Sequence, residues 1–194
     1  MNLPKLSRDV TTAVALVALL AVTRIGHFGG INTPPDGSLA VFFLLGLWIA
    51  SPRWLVVALL AAAATDAVAI AQGASSYCIT PAYPLLIPTY GVLWGAGRAI
   101  CVYGARWHGW MRGLALGVAL LASTTIAFVL SNASFYALSG YFEAMPVGDF
   151  VRGVSPYFRP YLAGAAAYVA GAILCRRLLL GPERESAGSV AAKP

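Results

Sequence analysis

The sequence predicts an all-α integral membrane protein, a bundle of six transmembrane helices, and three observations carry that expectation. Hydrophobic residues make up 59% of the 194 residues and charged residues only 10%, where a typical soluble domain carries about 25% charged residues. The mean hydropathy is +0.76, so too few polar side chains exist to coat a water-soluble globule and much of the surface must meet hydrocarbon. The apolar residues also gather into long runs separated by polar or Gly- and Pro-containing segments. Intrinsic disorder is excluded by the apolar content, and a disulfide scaffold by three cysteines, which cannot all pair. The excess of 13 Lys and Arg over 7 Asp and Glu is read as topological, and no nucleic-acid partner is expected.

The six runs are Val10 to Ile25, Leu39 to Ala50, Trp54 to Ala71, Leu85 to Tyr103, Leu114 to Leu138 and Tyr161 to Leu180. The first follows Lys5 and Arg8 but leads to no small-residue cleavage site, so it reads as a retained helix rather than a secretory signal. The second is short against the roughly 20 apolar residues a bilayer requires. It is expected either to extend through Gly37 and Ser38 or to sit protected inside the bundle. Residues 1–180 form one membrane domain in this reading, and the small, polar, charged tail 181–194 is expected to be disordered.

Basic residues set the orientation. With both termini cytoplasmic, the inner side holds Lys5, Arg8, Arg53, Arg98, Arg106, Arg112, Arg176, Arg177, Arg184 and Lys193, while the outer side holds Arg24, Arg152 and Arg159. The outer loops are then Gly26 to Ser38, Gln72 to Pro84 and Ser139 to Pro160. Glycines and paired prolines give the first a fixed, irregular lip. The third offers Tyr136, Tyr141, Phe142, Met145, Phe150, Tyr157 and Phe158, flat surface enough to close over a large ligand.

Few residues could carry chemistry. Asp66 follows Arg53 by 13 residues, which puts it roughly 20 Å along the third helix. An acid at that depth is costly unless it is paired or faces a cavity. It reads either as a helix-packing salt bridge or as a polar anchor at the floor of an outward pocket. Cys78 is the one cysteine on the outer side, since Cys101 and Cys175 fall near the cytoplasmic ends of their helices. Bonded cysteines need Cα atoms within about 4.4 to 6.8 Å of each other, so Cys78 is a free thiol, either inert or a soft-metal ligand or nucleophile. His27 shares that side, but a single His and Cys about fifty residues apart make no metal signature by spacing. Arg152, within an aromatic segment, either takes part in solvated surface pairing with Glu143 and Asp149 nearby or presents its planar fork to a ligand amide or phosphate. Gly91-x-x-x-Gly95 and the Gly164 to Gly171 series read as helix-packing devices, and Pro88 as a kink. No phosphate-binding Gly-rich loop, HExxH or GxSxG motif is present.

A 20.3 kDa chain of six spans with ligand-shaped outer loops resembles the substrate-binding S-components of energy-coupling-factor (ECF) vitamin transporters. Within that group, Tyr77-Cys78-Ile-Thr-Pro81-Ala-Tyr83-Pro84, Arg24-Ile-Gly-His27-Phe-Gly and Thr65-Asp66 look like the BtuM family of small bacterial cobalamin transporters. The resemblance covers nearly the whole chain. It implies an inner-membrane protein that takes up cobalamin or a related corrinoid, with the Cys78 thiolate as an axial ligand to the corrin cobalt. His27, Asp66, Tyr83 and Arg152 would line the cup, His27 also being a candidate for the opposite axial position. The metal arrives within the corrin, and no free metal is expected. A thiolate is a strong donor, so Cys78 could also displace or labilise the upper ligand of the incoming cobalamin.

One departure bears on partners. S-components usually dock through Ala-x-x-x-Ala in the first helix, but Ala13, Ala15, Ala18 and Ala21 are never four apart. Two routes stay open: Thr11-x-x-x-Ala15 substitutes as a small-residue contact to an ECF transmembrane and ATPase module, or the protein works without one. Competing readings are an S-component for another vitamin and a membrane-embedded thiol-dependent oxidoreductase. The latter would normally need a resolving cysteine nearby.

Overall fold

A computed structural model describes residues 5–25, 35–49 and 51–180. His27, most of the first loop and the tail 181–194 lie outside the described residues. The described residues form seven α-helices and no strand: α1 Lys5–Ile25, α2 Ser38–Trp48, α3 Arg53–Ala71, α4 Leu86–Tyr103, α5 Trp110–Leu138, α6 Val147–Val154 and α7 Phe158–Leu180. Each apolar run is a helix within a few residues of its expected bounds. Four stretches, Arg53–Ala71, Tyr83–Tyr103, Trp110–Leu138 and Val147–Leu179, are long and apolar enough to cross a membrane. Their outward faces carry exposed Val56, Leu60, Val118, Val129 and Leu174, surface suited to lipid rather than water, and together they mark a membrane protein.

The short α2 is the centre of the fold. Every residue from Ser38 to Leu47 is buried, as expected of a helix that is apolar all round. It packs most extensively on α4 and also meets α1, α3 and α7, while α5 closes over α4 and α7. Its protection inside the bundle, one of the two expected outcomes, explains why 11 residues suffice.

Glycine permits the α2–α4 contact, but not the glycines singled out by spacing. A Cβ on Gly46 would run into the Trp94 carbonyl, and one on Gly97 into the Phe43 carbonyl, so the two backbones approach each other through both positions. Gly91, Gly95 and Gly171 face open space, and a Cβ at Gly164 would make only ordinary contact with Pro35. The small-x-x-x-small pattern does not say which face meets a neighbour. Pro88 is likewise no mid-helix kink. It sits in the first turn of α4, where its missing N–H is among those that have no helical partner anyway.

The segment expected as the third loop contains α6. Pro146 precedes it in an extended conformation, ψ 140°, Asp149 lies in its first turn and Arg152 in its last, matching the helix dipole. Phe150 is its buried residue, set 4.8 Å from the rings of both Tyr136 and Phe142.

Candidate functional site

Four helices converge on one guanidinium. Arg24, in the last turn of α1, is 6% exposed and forks onto Asp66 of α3, Nε donating to Oδ1 and Nη2 to Oδ2, both at 2.7 Å. Its Nη1 donates to Tyr90 Oη on α4 at 2.8 Å, to Ser38 Oγ on α2 at 3.1 Å and, more weakly, to Asp36 at 3.4 Å. Asp36 in turn accepts the Ser38 backbone N–H at 2.9 Å and hydroxyl at 2.6 Å. Tyr83, opening the 3-10 turn Tyr83–Leu85, donates its hydroxyl to Asp66 Oδ2 at 2.7 Å. A bidentate, charge-assisted pair is the strong form of ion pair, and here it has the further hydrogen bonds that burial demands. Stacking of Tyr90 on Phe42, with centroids 4.2 Å apart, ties the network to the central helix.

Asp66 is thus a helix-packing salt bridge, one of its two expected readings, and it also lines a cleft. The sequence named no partner for it. Arg24, counted among the outer-side charges, is buried and neutralised, and Tyr90, Ser38 and Asp36 join it. An acid inside an apolar helix needs a counter-charge, and Arg24 is the basic residue at the corresponding end of the neighbouring run; that was the available signal.

Two apolar clefts open between α3 and the start of α4, where those helices touch little. One, of about 340 Å³, is lined by Ala63, Asp66, Ala67, Ile70, Ile79 and Tyr83. The other, of about 290 Å³, has Arg24, Leu60, Ile87 and Tyr90 among its walls and shares Ala63 and Tyr83 with the first.

Cys78 lies on the segment joining α3 to α4, next to the cleft residue Ile79. It is free and exposed. Its carbonyl accepts the Thr80 N–H at 3.2 Å. On its other side Tyr77 stacks on Tyr141 with centroids 4.4 Å apart and meets the Phe135 ring edge-on at 5.4 Å. The Cys78 loop is thus held between the cleft and an aromatic cluster. Partial burial, and then the Asp66 charge, push the thiol above its ordinary pKa, with Arg24 pulling weakly the other way. Unliganded Cys78 is accordingly a protonated thiol near neutral pH.

The remaining candidates sit apart. Arg152 has 82% of its side chain exposed and pairs with Asp149 at 3.2 Å, the surface pairing foreseen as one alternative. Tyr136, Tyr141, Phe142 and Phe150 pack on one another rather than forming an open platform, while Tyr157 is 67% exposed. Among the described residues no three His, Cys, Asp or Glu side chains converge on a point that could hold a metal ion. The chain matches no family model and no curated protein.

Proposed function

We propose that this protein captures cobalamin or a related corrinoid at the Asp66 end of the bundle and delivers it across the cell membrane, in the manner of the BtuM family it resembles. The single observation that carries this reading is the position of Cys78: a free, exposed thiol next in sequence to Ile79, which lines a cleft that holds Asp66 and Tyr83 among apolar side chains. A drug-sized ligand usually fills about 300 to 1,000 Å³, and the cleft of about 340 Å³ is at the bottom of that range. The corrin therefore lies over the mouth, its cobalt facing Cys78 Sγ, with an edge or side-chain amide reaching Tyr83 and Asp66. Cobalt replaces the proton on sulfur, as metal ligation does. By the distribution of arginines, the opposite end faces the cytoplasm, with both termini there.

An oxidoreductase is disfavoured by two features of the same site. The thiol is shifted away from the thiolate form that nucleophilic chemistry uses, and Cys101 and Cys175 lie toward the far ends of α4 and α7. The test is optical. Protein purified from cells supplied with cobalamin is expected to be red, and Cys78→Ala to keep the fold but change the corrin absorption bands. Unchanged bands in a corrinoid-binding variant would remove cysteine ligation, and no corrinoid binding by the unaltered protein would leave a different vitamin as the cargo.

A further inference from the structure

The corner where α4 turns into α5 is built like a receptor for an amphiphile. After α4 the chain makes the 3-10 turn Gly104–Arg106 and reverses through Gly109, whose φ of +55° suits glycine. That reversal brings Arg106 and Arg112 to the same end of the bundle as Arg98, with Trp107 and Trp110 between them in sequence. Arg106 and Arg112 are exposed, and neither forms an ion pair among the described residues. The acid described at this end is Asp9, on α1 rather than at the corner.

Two details go beyond general basicity. The Arg106 guanidinium lies 5.8 Å from the centre of the Tyr103 ring, a cation–π stack that leaves its N–H fork free for a planar pair of oxygens. The first turn of α5 holds no acidic residue and its N-terminus has no side-chain cap, so uncapped amides and the positive end of a 29-residue helix face the same corner. Directly beyond the charges the surface turns apolar: Val102 is 50% exposed and Leu114 57%, while Trp110, at 76%, has the amphipathic ring that favours the headgroup level.

We propose that this corner binds an anionic phospholipid, its phosphate held between Arg106 and Arg112 and its acyl chains lying along Val102 and Leu114. Charge complementarity selects an anionic head, and the adjoining apolar strip selects a lipid over a soluble anion.

The full-length protein in neutral detergent, titrated with phosphatidylglycerol or phosphatidylcholine and read by native mass spectrometry, tests this. The expected result is preferential retention of phosphatidylglycerol, with affinity falling about fivefold for each arginine removed in Arg106→Gln and Arg112→Gln. Arg177→Gln, at the same end but on α7, is expected to leave retention unchanged. Equal retention of both lipids, equal losses in the Arg177 variant, or competition by inorganic phosphate as effective as that by added lipid would each overturn the proposal. Should the glutamine variants fail to fold, Arg106→Lys keeps the charge without the fork and is expected to show a partial loss; wild-type retention in that variant together with Arg112→Lys would overturn bidentate capture.

Discussion

Arg24, at one end of the bundle, is treated unlike the arginines at the other end and unlike the exposed Arg152 and Arg159 of its own end. At one end Arg24 is buried, and Asp66, Asp36, Tyr90 and Ser38 consume its donors. At the other, Arg8, Arg53, Arg106, Arg112 and Arg177 are exposed, and Asp9 is the described acid near them. Most tryptophans and tyrosines divide along the same line, with Tyr103 beside Arg106 an exception. Trp48, Trp54, Trp107 and Trp110 gather at the arginine end, and Arg176 lies 4.7 Å from the Trp48 ring. Tyr77, Tyr83, Tyr90, Tyr136 and Tyr141 stand at the other end, where Tyr168 also donates to the Pro35 carbonyl at 2.7 Å. An arginine turned inward organises a site, because every donor needs an acceptor in low dielectric. An arginine turned outward positions the protein against its surroundings, and individually contributes little to folding.

That contrast can be broken most directly at Asp66. Asp66→Ala strands a buried guanidinium and is expected to cost about 3 to 5 kcal/mol, whereas Arg53→Gln, at the exposed end, should stay within about 0.5 kcal/mol. Thermal unfolding in detergent measures both, and similar losses would show that the inward pair is no stronger than a surface charge. The central contact comes next. Gly97→Ala drives a methyl group into the Phe43 carbonyl and should cost about 1 to 3 kcal/mol. Gly95→Ala, two residues away and facing open space, should be neutral or stabilising by up to about 1 kcal/mol. Equal effects of the two alanines would remove close backbone approach as the reason α2 and α4 pack together.

The smallest effect is a pH dependence confined to the Asp66 end. Cobalt ligation requires the thiolate, and Cys78 holds its proton more firmly than an ordinary cysteine. Below its pKa, corrinoid affinity should therefore rise about tenfold, near 1.4 kcal/mol, with each unit of increasing pH. Cys78→Ala should flatten that dependence, and a flat profile in the unaltered protein would exclude displacement of a thiol proton. The thiol's contribution to stability runs the other way with pH. A thiol whose folded pKa is raised makes its contribution at lower pH and loses it as pH climbs through the alkaline range.

The helices were legible because bilayer-length apolar runs are a strong signal, and their bounds came within a few residues. The burial of α2 was legible as one of two outcomes of its shortness. α6 was hidden: eight residues containing Gly148 and Gly153 carry weak helical propensity, and packing of Phe150 among aromatic rings decides the conformation. Sequence reasoning singled out Asp66, Tyr83 and Cys78, since an acid in an apolar run and a cysteine just ahead of Pro81 and Pro84 stand out. It missed Arg24 as the partner because a basic residue at a helix end looks the same whether it turns out to water or in toward a carboxylate. Gly46 and Gly97 escaped for a related reason. Spacing along one helix cannot identify the facing surface of another.

Tyr83 belongs to both clefts, and its hydroxyl is tethered to a carboxylate that Arg24 already holds rigidly. One aromatic ring thus serves as the shared wall of two small rooms, and truncating it would join them while leaving the Arg24–Asp66 bridge standing.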